Sequence, residues 1–407
     1  MRTILHVDLN NFYASVERAL DPSLRDKNVG VCGNVENRHG IILAKSEGAK
    51  KLGVKTGMTI RDAQKLCPDI VFVEAHHKKY AAYSELCKDI YRRYTDYIEP
   101  FGIDECWLDV TSSVKLFGSG EKIANEIRSA VKNELNLTVS VGVSFNKVFA
   151  KLGSDLKKPD AVTVISPENF KEKIYPLPAG DLLFVGKSTA DKLKKINVLT
   201  IGDLALLNED YLLKKFGKAG RTLRTYALGE DDSPVLKDEQ GEEIKSVGNS
   251  MTSYRDIVTA EDAAIVFTVL SESVSYRALK YGVGRANTLS VFMRNSNLEC
   301  ITRQVALLYP TLIAEDLKAA AMDLFIKNKS PYASYRTLGL SVSGFEKGAE
   351  QTSIFDADYE KKSKLSDAVR GIKTKYGNEG IVKGVVLKDK KFMREEKPLS
   401  NFNHSHK

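Results

Sequence analysis

Apolar and polar positions switch between a two-residue and a 3.6-residue period along the chain, and the switches mark out its elements. Ile4 to Val7 is a run of strand formers that ends at Asp8 and passes into FYASVERAL, which predicts a helix. NVGVCG reads as a short buried strand, NVENRHG as a turn-rich loop, and GIILAKSEGAKKLGV as a strand passing into a helix with Lys45, Lys50 and Lys51. TGMTIRDAQKLCPDIVFVEA predicts a turn, a helix stopped near Pro68, and another strand. From Lys78 a long amphipathic helix is expected through YAAYSELCKDIYRRYTDYI, with Tyr83, Leu86, Cys87, Ile90, Tyr94 and Tyr97 packed into a core. EPFGIDECWLDV then brings turn residues, the acidic pair Asp104-Glu105 and a strand. GSGEKIANEIRSAVKNELN is a helix ended by Asn133 and Asn136, LTVSVGVSF an alternating strand, NKVFAKLGSDLKKPD a helix broken at Pro159, and VTVI one more strand. This order predicts a split ferredoxin-type sheet from residues 1–22 and 78–167, interrupted by an insert at about 23–77.

Residues 168–235 are helical and rich in lysine. Within them, LLFVGKSTADKLKKINVLTIGDLA reads as helix, tight glycine turn, helix. Gly186 allows a close backbone approach, and Lys187 and Ser188 open the next helix, an arrangement able to bind a DNA phosphate. The turn-rich DSPVLKDEQGEEIKS is a linker candidate, placed at 236–241. KSVGNSMTSYRDI follows, then a helix through DAAIVFTVLSESVSYRALKY, a strand at NTLSVFMRNS, a helix near TLIAEDLKAAAMDLFIKN and a strand at YRTLGLSVSGF. This βαββαβ-like order predicts a separate small domain at 242–347. Its strands carry Arg294 and Arg336, with Arg255, Arg277, Lys280 and Arg285 nearby, the pattern of a sheet that lies along a nucleic-acid backbone; solvated polar faces are the alternative. The tail, 348–407, opens with QTSIF, has one helical stretch around LSDAVRGIKTKYG, and is expected to fray beyond Lys388.

Composition narrows the class. A chain of 407 residues, 43% hydrophobic and 28% charged, is long enough for two to four domains with real cores. The net charge of +8 favours a polyanionic partner. Five widely spaced cysteines, without a CxxC pair, argue for a reducing compartment, no structural zinc, and five small core residues. No leader and no apolar run of membrane-spanning length is seen, so a cytoplasmic chain without a membrane partner is expected. The six histidines form no ligand spacing; His76 and His77 are expected on a surface turn, and His404 and His406 in the tail.

Two acidic patches carry the candidate chemistry. Asp8 ends one strand, and Asp104-Glu105 opens another. Read alone, an Asp after a short strand is commonly a cap. Two strands ending in carboxylates and lying side by side make a hard oxygen site that suits Mg²⁺ with substrate phosphates. A pair of such ions clamps both oxygens of an in-line phosphoryl transfer.

DLNNFYASVE, GIDECWLDV, SVGVSFNKVFAKLGSDLKKP and FVGKSTADKL, in this order and spacing, resemble the Y-family DNA polymerases that copy damaged templates. The resemblance covers essentially the whole chain and is closest to the UmuC-like branch. It implies an α+β multidomain, right-hand architecture: a ferredoxin-like palm (1–22 and 78–167), small fingers (23–77), a helical thumb with a helix-hairpin-helix (168–235) and an α/β little finger (242–347). It further implies a monomeric, low-fidelity translesion enzyme of the DNA damage (SOS) response, acting on primer-template DNA with dNTP. Asp8, Asp104 and Glu105 match the metal carboxylates, with the Leu9 carbonyl as a backbone ligand, for two Mg²⁺ ions or Mn²⁺ in their place. Tyr13 takes the position of the steric gate against a 2′-hydroxyl; Asn11, Phe12, Lys50 and Lys158 border the triphosphate. Where many members carry Thr, Tyr and Arg, this chain has Ala44, Glu47 and Lys50; Lys50 supplies a charge without a bidentate fork, and Lys45 is a possible substitute. Gln351, Ile354 and Phe355 of QTSIF resemble the peptide by which bacterial polymerases dock on the sliding clamp. Two other readings fit part of the pattern. A nucleotidyl cyclase explains the acidic patches and would turn over free NTP without DNA. A non-catalytic DNA- or clamp-binding accessory protein would bind DNA without extending it.

Overall fold

The structure, a computed structural model, describes residues 1–33, 40–237, 243–346, 359–377, 380–389 and 391–394. It divides into a unit from Met1 to Gly241 and a second from Glu242 to Leu399. Among the described residues the first unit holds eight strands: β1 (Ile4–Leu9), β2 (Val29–Cys32), β3 (Ile42–Lys45), β4 (Val71–Glu74), β5 (Ile98–Pro100), β6 (Glu105–Asp109), β7 (Val139–Ser144) and β8 (Val162–Val164).

One sheet runs β5-β6-β1-β7-β8, with β1 in the middle and antiparallel to both neighbours. Every residue of β1 and of β7 is buried, so LTVSVGVSF does not alternate between core and solvent. Its alternation is between two covered faces. Leu5, Val7 and Leu9 share a core with Cys87, Ile90, Ile123 and Ile127, from the helices His77–Arg92 and Gly120–Leu135. Ile4 turns the other way and packs with Trp107 and with Ala150 of the helix Lys147–Leu156. The period of two therefore sends His6 and Asp8 to that second face.

The helix Lys147–Leu156 sits very close to the sheet, and two glycines permit it. A Cβ on Gly142 would fall 1.8 Å from the Ala150 carbonyl oxygen and 2.6 Å from the Ser154 nitrogen. A Cβ on Gly153 would fall 3.1 Å from the Gly142 Cα.

The expected long helix from Lys78 stops at Arg92, so Tyr94 and Tyr97 lie beyond it. Leu86 is exposed rather than part of the core. The insert forms its own sheet, β3-β2-β4, around Cys32, Ile42, Ala49, Val54, Ala63, Cys67 and Ile70. The helices Lys187–Lys195, Ile201–Leu206, Glu209–Phe216 and Lys218–Leu228 gather around Leu193, Leu204, Leu212 and Leu223 with Phe149. The turn before Lys187 differs from expectation. Gly186 is extended, at φ −76° and ψ 171°, and serves as the N-cap, while Phe184 takes the left-handed conformation at φ 66°. The segment ahead of it contributes only the single 3-10 turn Ala179–Asp181. The linker candidate begins packed: Val235 is buried beside Ile4 and Trp107, and the Leu236 amide donates to Glu99 Oε2 at 2.9 Å. Of the 236–241 span, only 236 and 237 fall among the described residues.

The second unit is an antiparallel sheet of β9 (Ser246–Ile257), β10 (Arg285–Asn295), β11 (Cys300–Thr311) and β12 (Tyr335–Glu346), ordered β11-β10-β12-β9. The helices Ala260–Lys280 and Ala314–Asn328 share its core with Leu289, Val291, Met293, Leu338, Leu340 and Val342. The strand β11 was missed from sequence because its middle is largely exposed and shows no clean alternation. Arg294 and Arg336 are partly exposed on β10 and β12, and Arg294 also lies against Phe292 and Cys300. Arg255 is held within the unit, paired with Asp262 at 2.6 Å and Asp389 at 3.2 Å. Arg277 donates to the Gly248 carbonyl at 3.3 Å. The tail stays packed past Lys388 as far as Arg394, with Val386 and Phe392 buried in this unit's core, while residues 395–407 lie outside the described residues. Cys300 is exposed, unlike the other four cysteines. No helix among the described residues is long and apolar enough to cross a membrane.

Gly142→Ala should force Lys147–Leu156 off the sheet and lower stability by about 3 kcal/mol or more, as overpacking against backbone does. A urea or thermal midpoint close to that of the unmodified chain would contradict this packing.

Candidate active site

The antiparallel register sets Asp8 directly opposite Glu105, and His6 opposite Trp107. Directly paired residues project to the same face, so the two carboxylates stand side by side. Asp104 enters from the turn before β6, and its carbonyl accepts from the Leu9 amide at 2.9 Å. Asn10 then anchors the chain: its amide donates to the Thr138 carbonyl at 2.9 Å and its side-chain oxygen accepts from Ser140 at 2.9 Å. Asn11 turns the backbone with φ 50° and leads into the helix Phe12–Leu20.

Asp8 and Glu105 each have an ammonium partner from one neighbouring segment. Lys158 Nζ donates to Asp8 Oδ2 at 2.6 Å and to Asp155 Oδ1 at 2.8 Å. Lys151, one helix face earlier, contacts Glu105 Oε2 and stacks over Phe101 at 4.9 Å. Burial pushes the Asp8 carboxyl up, against the pull of Lys158 and with the neighbouring Glu105 and Asp104 adding to it. Burial and Glu105 raise Asp104 to about 6. Glu105 goes the other way: burial opposes its anion, but His6 and Lys151 outweigh that and hold it low. His6 is fully buried, and that burial lowers its pKa and keeps it neutral.

These residues fit a divalent cation in donor chemistry. The three carboxylates are hard oxygen donors, crowded enough to disfavour each other's charge, and a divalent ion would relieve the crowding. Among the described residues no group of three or more His, Cys, Asp or Glu is gathered as a ready metal cage. The lysines stand as counter-ions on Asp8 and Glu105 instead.

Tyr13 rests on a buried stack. Its ring lies 4.1 Å from that of Tyr80 at 14°, and His77 meets it edge-on at 5.8 Å. The Tyr80 hydroxyl donates to Glu17 Oε1 at 2.6 Å, and His76 Nδ1 lies 2.9 Å from the same oxygen. His76 and His77 therefore begin the helix beneath Tyr13 rather than a free surface turn. Phe12 is buried against both tyrosines.

The insert approaches through Glu47. Asn11 Nδ2 donates to Glu47 Oε2 at 3.1 Å, and Lys50 Nζ lies 3.8 Å from the same oxygen. Lys45 donates to Thr56 Oγ1 at 3.0 Å, and Ala44 packs in the core. The structure thus brings together Asp8, Leu9, Asp104, Glu105 and Lys158, with Asn11, Phe12 and Tyr13 directly after them. Gly186, Lys187 and Ser188 lie at a separate helix start, Arg294 and Arg336 belong to the second unit, and Gln351, Ile354 and Phe355 lie outside the described residues. Sequence reasoning missed His6, Lys151, Ser154, Tyr80 and Glu17. Lys151 and Ser154 stand inside NKVFAKLGSDLKKPD, where their spacing of three on one helix was the available signal.

A carboxylate pair at the centre of a ferredoxin-like sheet, with an inserted small sheet and a second α/β unit, is the construction of a DNA-directed DNA polymerase of the translesion Y family. The chain belongs to the impB/mucB/samB family: the family matches residues 7–155, and its C-terminal domain matches residues 244–354. DNA polymerase IV of Acetivibrio thermocellus is 46% identical over 393 residues, 96% of this chain and 98% of that protein. DNA polymerase IV 1 of Bacillus subtilis is 36% identical, over 95% of this chain and 94% of that protein. Among solved structures, a Y-family DNA polymerase chimera superposes with a TM-score of 0.75 at 24% identity, covering 85% of this chain and all of its own. An insertion ternary complex of Dbh DNA polymerase gives a TM-score of 0.60 at 24% identity, with the same coverage, 85% and 100%.

Glu17→Ala should leave the buried Tyr80 hydroxyl without its acceptor and destabilise the chain by about 1–3 kcal/mol. Denaturation of Glu17→Ala beside Glu17→Ala/Tyr80→Phe tests this, because removing both partners should recover part of the loss.

Proposed function

We propose that this polymerase extends a DNA primer past damaged template positions, using dNTP and Mg²⁺ at the Asp8, Asp104 and Glu105 site. The observation that carries the reading is the β1–β6 register, which pairs Asp8 with Glu105 beside Asp104. In the reaction the primer 3′-hydroxyl attacks the α-phosphate of the incoming dNTP, and pyrophosphate leaves. When bound, two Mg²⁺ ions held by Asp8, Asp104, Glu105 and the Leu9 carbonyl would supply Lewis-acid charge to the attacking and leaving oxygens, with Mn²⁺ able to replace them.

The chain's own residues do the rest. Lys158 carries an ammonium at the edge of the acid cluster, suited to offset negative charge growing on the leaving pyrophosphate. Asn11, Phe12 and Lys50 border the triphosphate. Tyr13 is the steric gate: a ring backed by Tyr80 has little room to retreat, so a 2′-hydroxyl meets a wall. Residues 1–22 and 78–167 act as palm, 23–77 as fingers, 168–235 as thumb and 242–347 as little finger. Gly186, Lys187 and Ser188 hold a DNA phosphate, and Arg294 and Arg336 lie along the duplex backbone. Gln351, Ile354 and Phe355 dock on the sliding clamp. The setting is cytoplasmic, and the working form is a monomer.

Primer extension on a lesion-bearing template tests the whole. Asp104→Ala should abolish extension while DNA binding persists, and retained synthesis would refute the assignment. Tyr13→Ala should raise ribonucleotide incorporation relative to dNTP by on the order of 10²-fold, the scale of steric discrimination in a packed pocket; an unchanged ratio would remove Tyr13 as the gate. Gln351→Ala/Ile354→Ala/Phe355→Ala should erase stimulation by the clamp and leave unassisted extension as it was, so stimulation at the original level would count against the docking peptide.

A further inference from the structure

Behind Glu105 four residues close a ring. His6 Nδ1 lies 2.8 Å from Ser154 Oγ, and that hydroxyl also lies 2.7 Å from the Lys151 carbonyl. With Nδ1 accepting from Ser154, the neutral ring carries its one proton on Nε2, the nitrogen that faces Glu105. The Lys151 ammonium returns to Glu105 Oε2. His6 Nε2 completes the circuit 3.2 Å from that same oxygen, off the line of a hydrogen bond. His6 is 0% exposed and Ser154 1%, so solvent does not share the contact between them.

The ring is asymmetric about the carboxylate. Lys151 and His6 both fall on Oε2, and neither contact reaches Oε1. We propose that His6, Ser154 and Lys151 are positioning residues that lock the Glu105 carboxylate edge-on, occupying Oε2 so that Oε1 alone is presented to the divalent ion. This rests on the reading of Asp8, Asp104 and Glu105 as the metal site and adds what orients one of them. The close seat of the helix is what permits it. Gly142 is the register partner of His6, and the Ser154 amide passes just above it. Partners behind a ligating carboxylate fix its direction, and removing them typically weakens metal binding about 10- to 100-fold.

Trp107 is the chain's single tryptophan, and its ring lies 5.3 Å from that of His6. Its emission therefore reads Mn²⁺ arriving at this site in the full chain, without DNA or nucleotide. Quenching by Mn²⁺ should vanish in Asp104→Ala. Ser154→Ala and His6→Phe should each raise the half-saturating Mn²⁺ concentration roughly tenfold or more while their thermal midpoints stay high enough for a folded titration. Ser154→Thr, which keeps the hydroxyl, should titrate like the unmodified chain; if one of the two disruptive variants fails to fold, the other carries the comparison. Quenching that is lost in Asp104→Ala but has an unchanged midpoint in Ser154→Ala and His6→Phe would overturn the positioning role. Quenching that is absent from the unmodified chain, or that survives Asp104→Ala, would overturn the metal-site reading and this inference with it.

Discussion

The register of β1 between β6 and β7 is the constraint on which the site depends. It places Asp8 opposite Glu105 and His6 between Trp107 and Gly142. Side chains on a strand alternate faces, so a slip of one residue would send Asp8 into the core that Leu5 and Val7 now fill and turn those two toward the helix Lys147–Leu156. Burying an unpaired carboxylate there is costly, as is leaving Ser154 and Lys158 without the His6 and Asp8 partners they now meet. The hydrophobic pattern and the acidic site therefore enforce each other.

Concentrating three carboxylates in a half-buried spot works against folding, and the chain offsets this locally. Lys158 and Lys151 come from a single stretch that crosses above β7, and each meets a different acid. Their placement follows from helix geometry. Lys151 and Ser154 are three residues apart and share a face, while Lys158 follows after the helix ends at Leu156. The same economy appears under Tyr13, where a buried Glu17 takes both the Tyr80 hydroxyl and His76. In both places a side chain of the candidate site is braced by a polar group that has been withdrawn from water, which makes its position definite at some expense of stability.

The second unit shows how burial redirects charges that a sequence offers as free. Arg255 reads as a nucleic-acid contact, yet Asp262 and Asp389 take its guanidinium, and Asp262 is held well below the ordinary carboxylate range, first by Arg255. The Asp389 partner arrives from the tail, whose Phe392 is buried nearby. A run such as LKDKKFM looks solvated when its few apolar residues are counted alone, because nothing in it states which surface they will meet.

The linear chain determined the order and kind of nearly all elements, the sheet-plus-insert organisation, the two acidic patches, Tyr13 and Lys158. These are properties of local pattern: periodicity, turn residues, and short motifs whose spacing is rigid. Tertiary structure alone decided that Asp8 and Glu105 touch the same face, that Tyr80 rather than another tyrosine backs Tyr13, and that Glu47 reaches Asn11. It also decided the end of the helix at Arg92, the edge strand β11, the extended Gly186 with Phe184 bent in its stead, and the ring of His6, Ser154 and Lys151 around Glu105. Each of these joins residues far apart in sequence or depends on which side of an element is covered. Such contacts arise from register and close packing, and no window of neighbouring residues contains them.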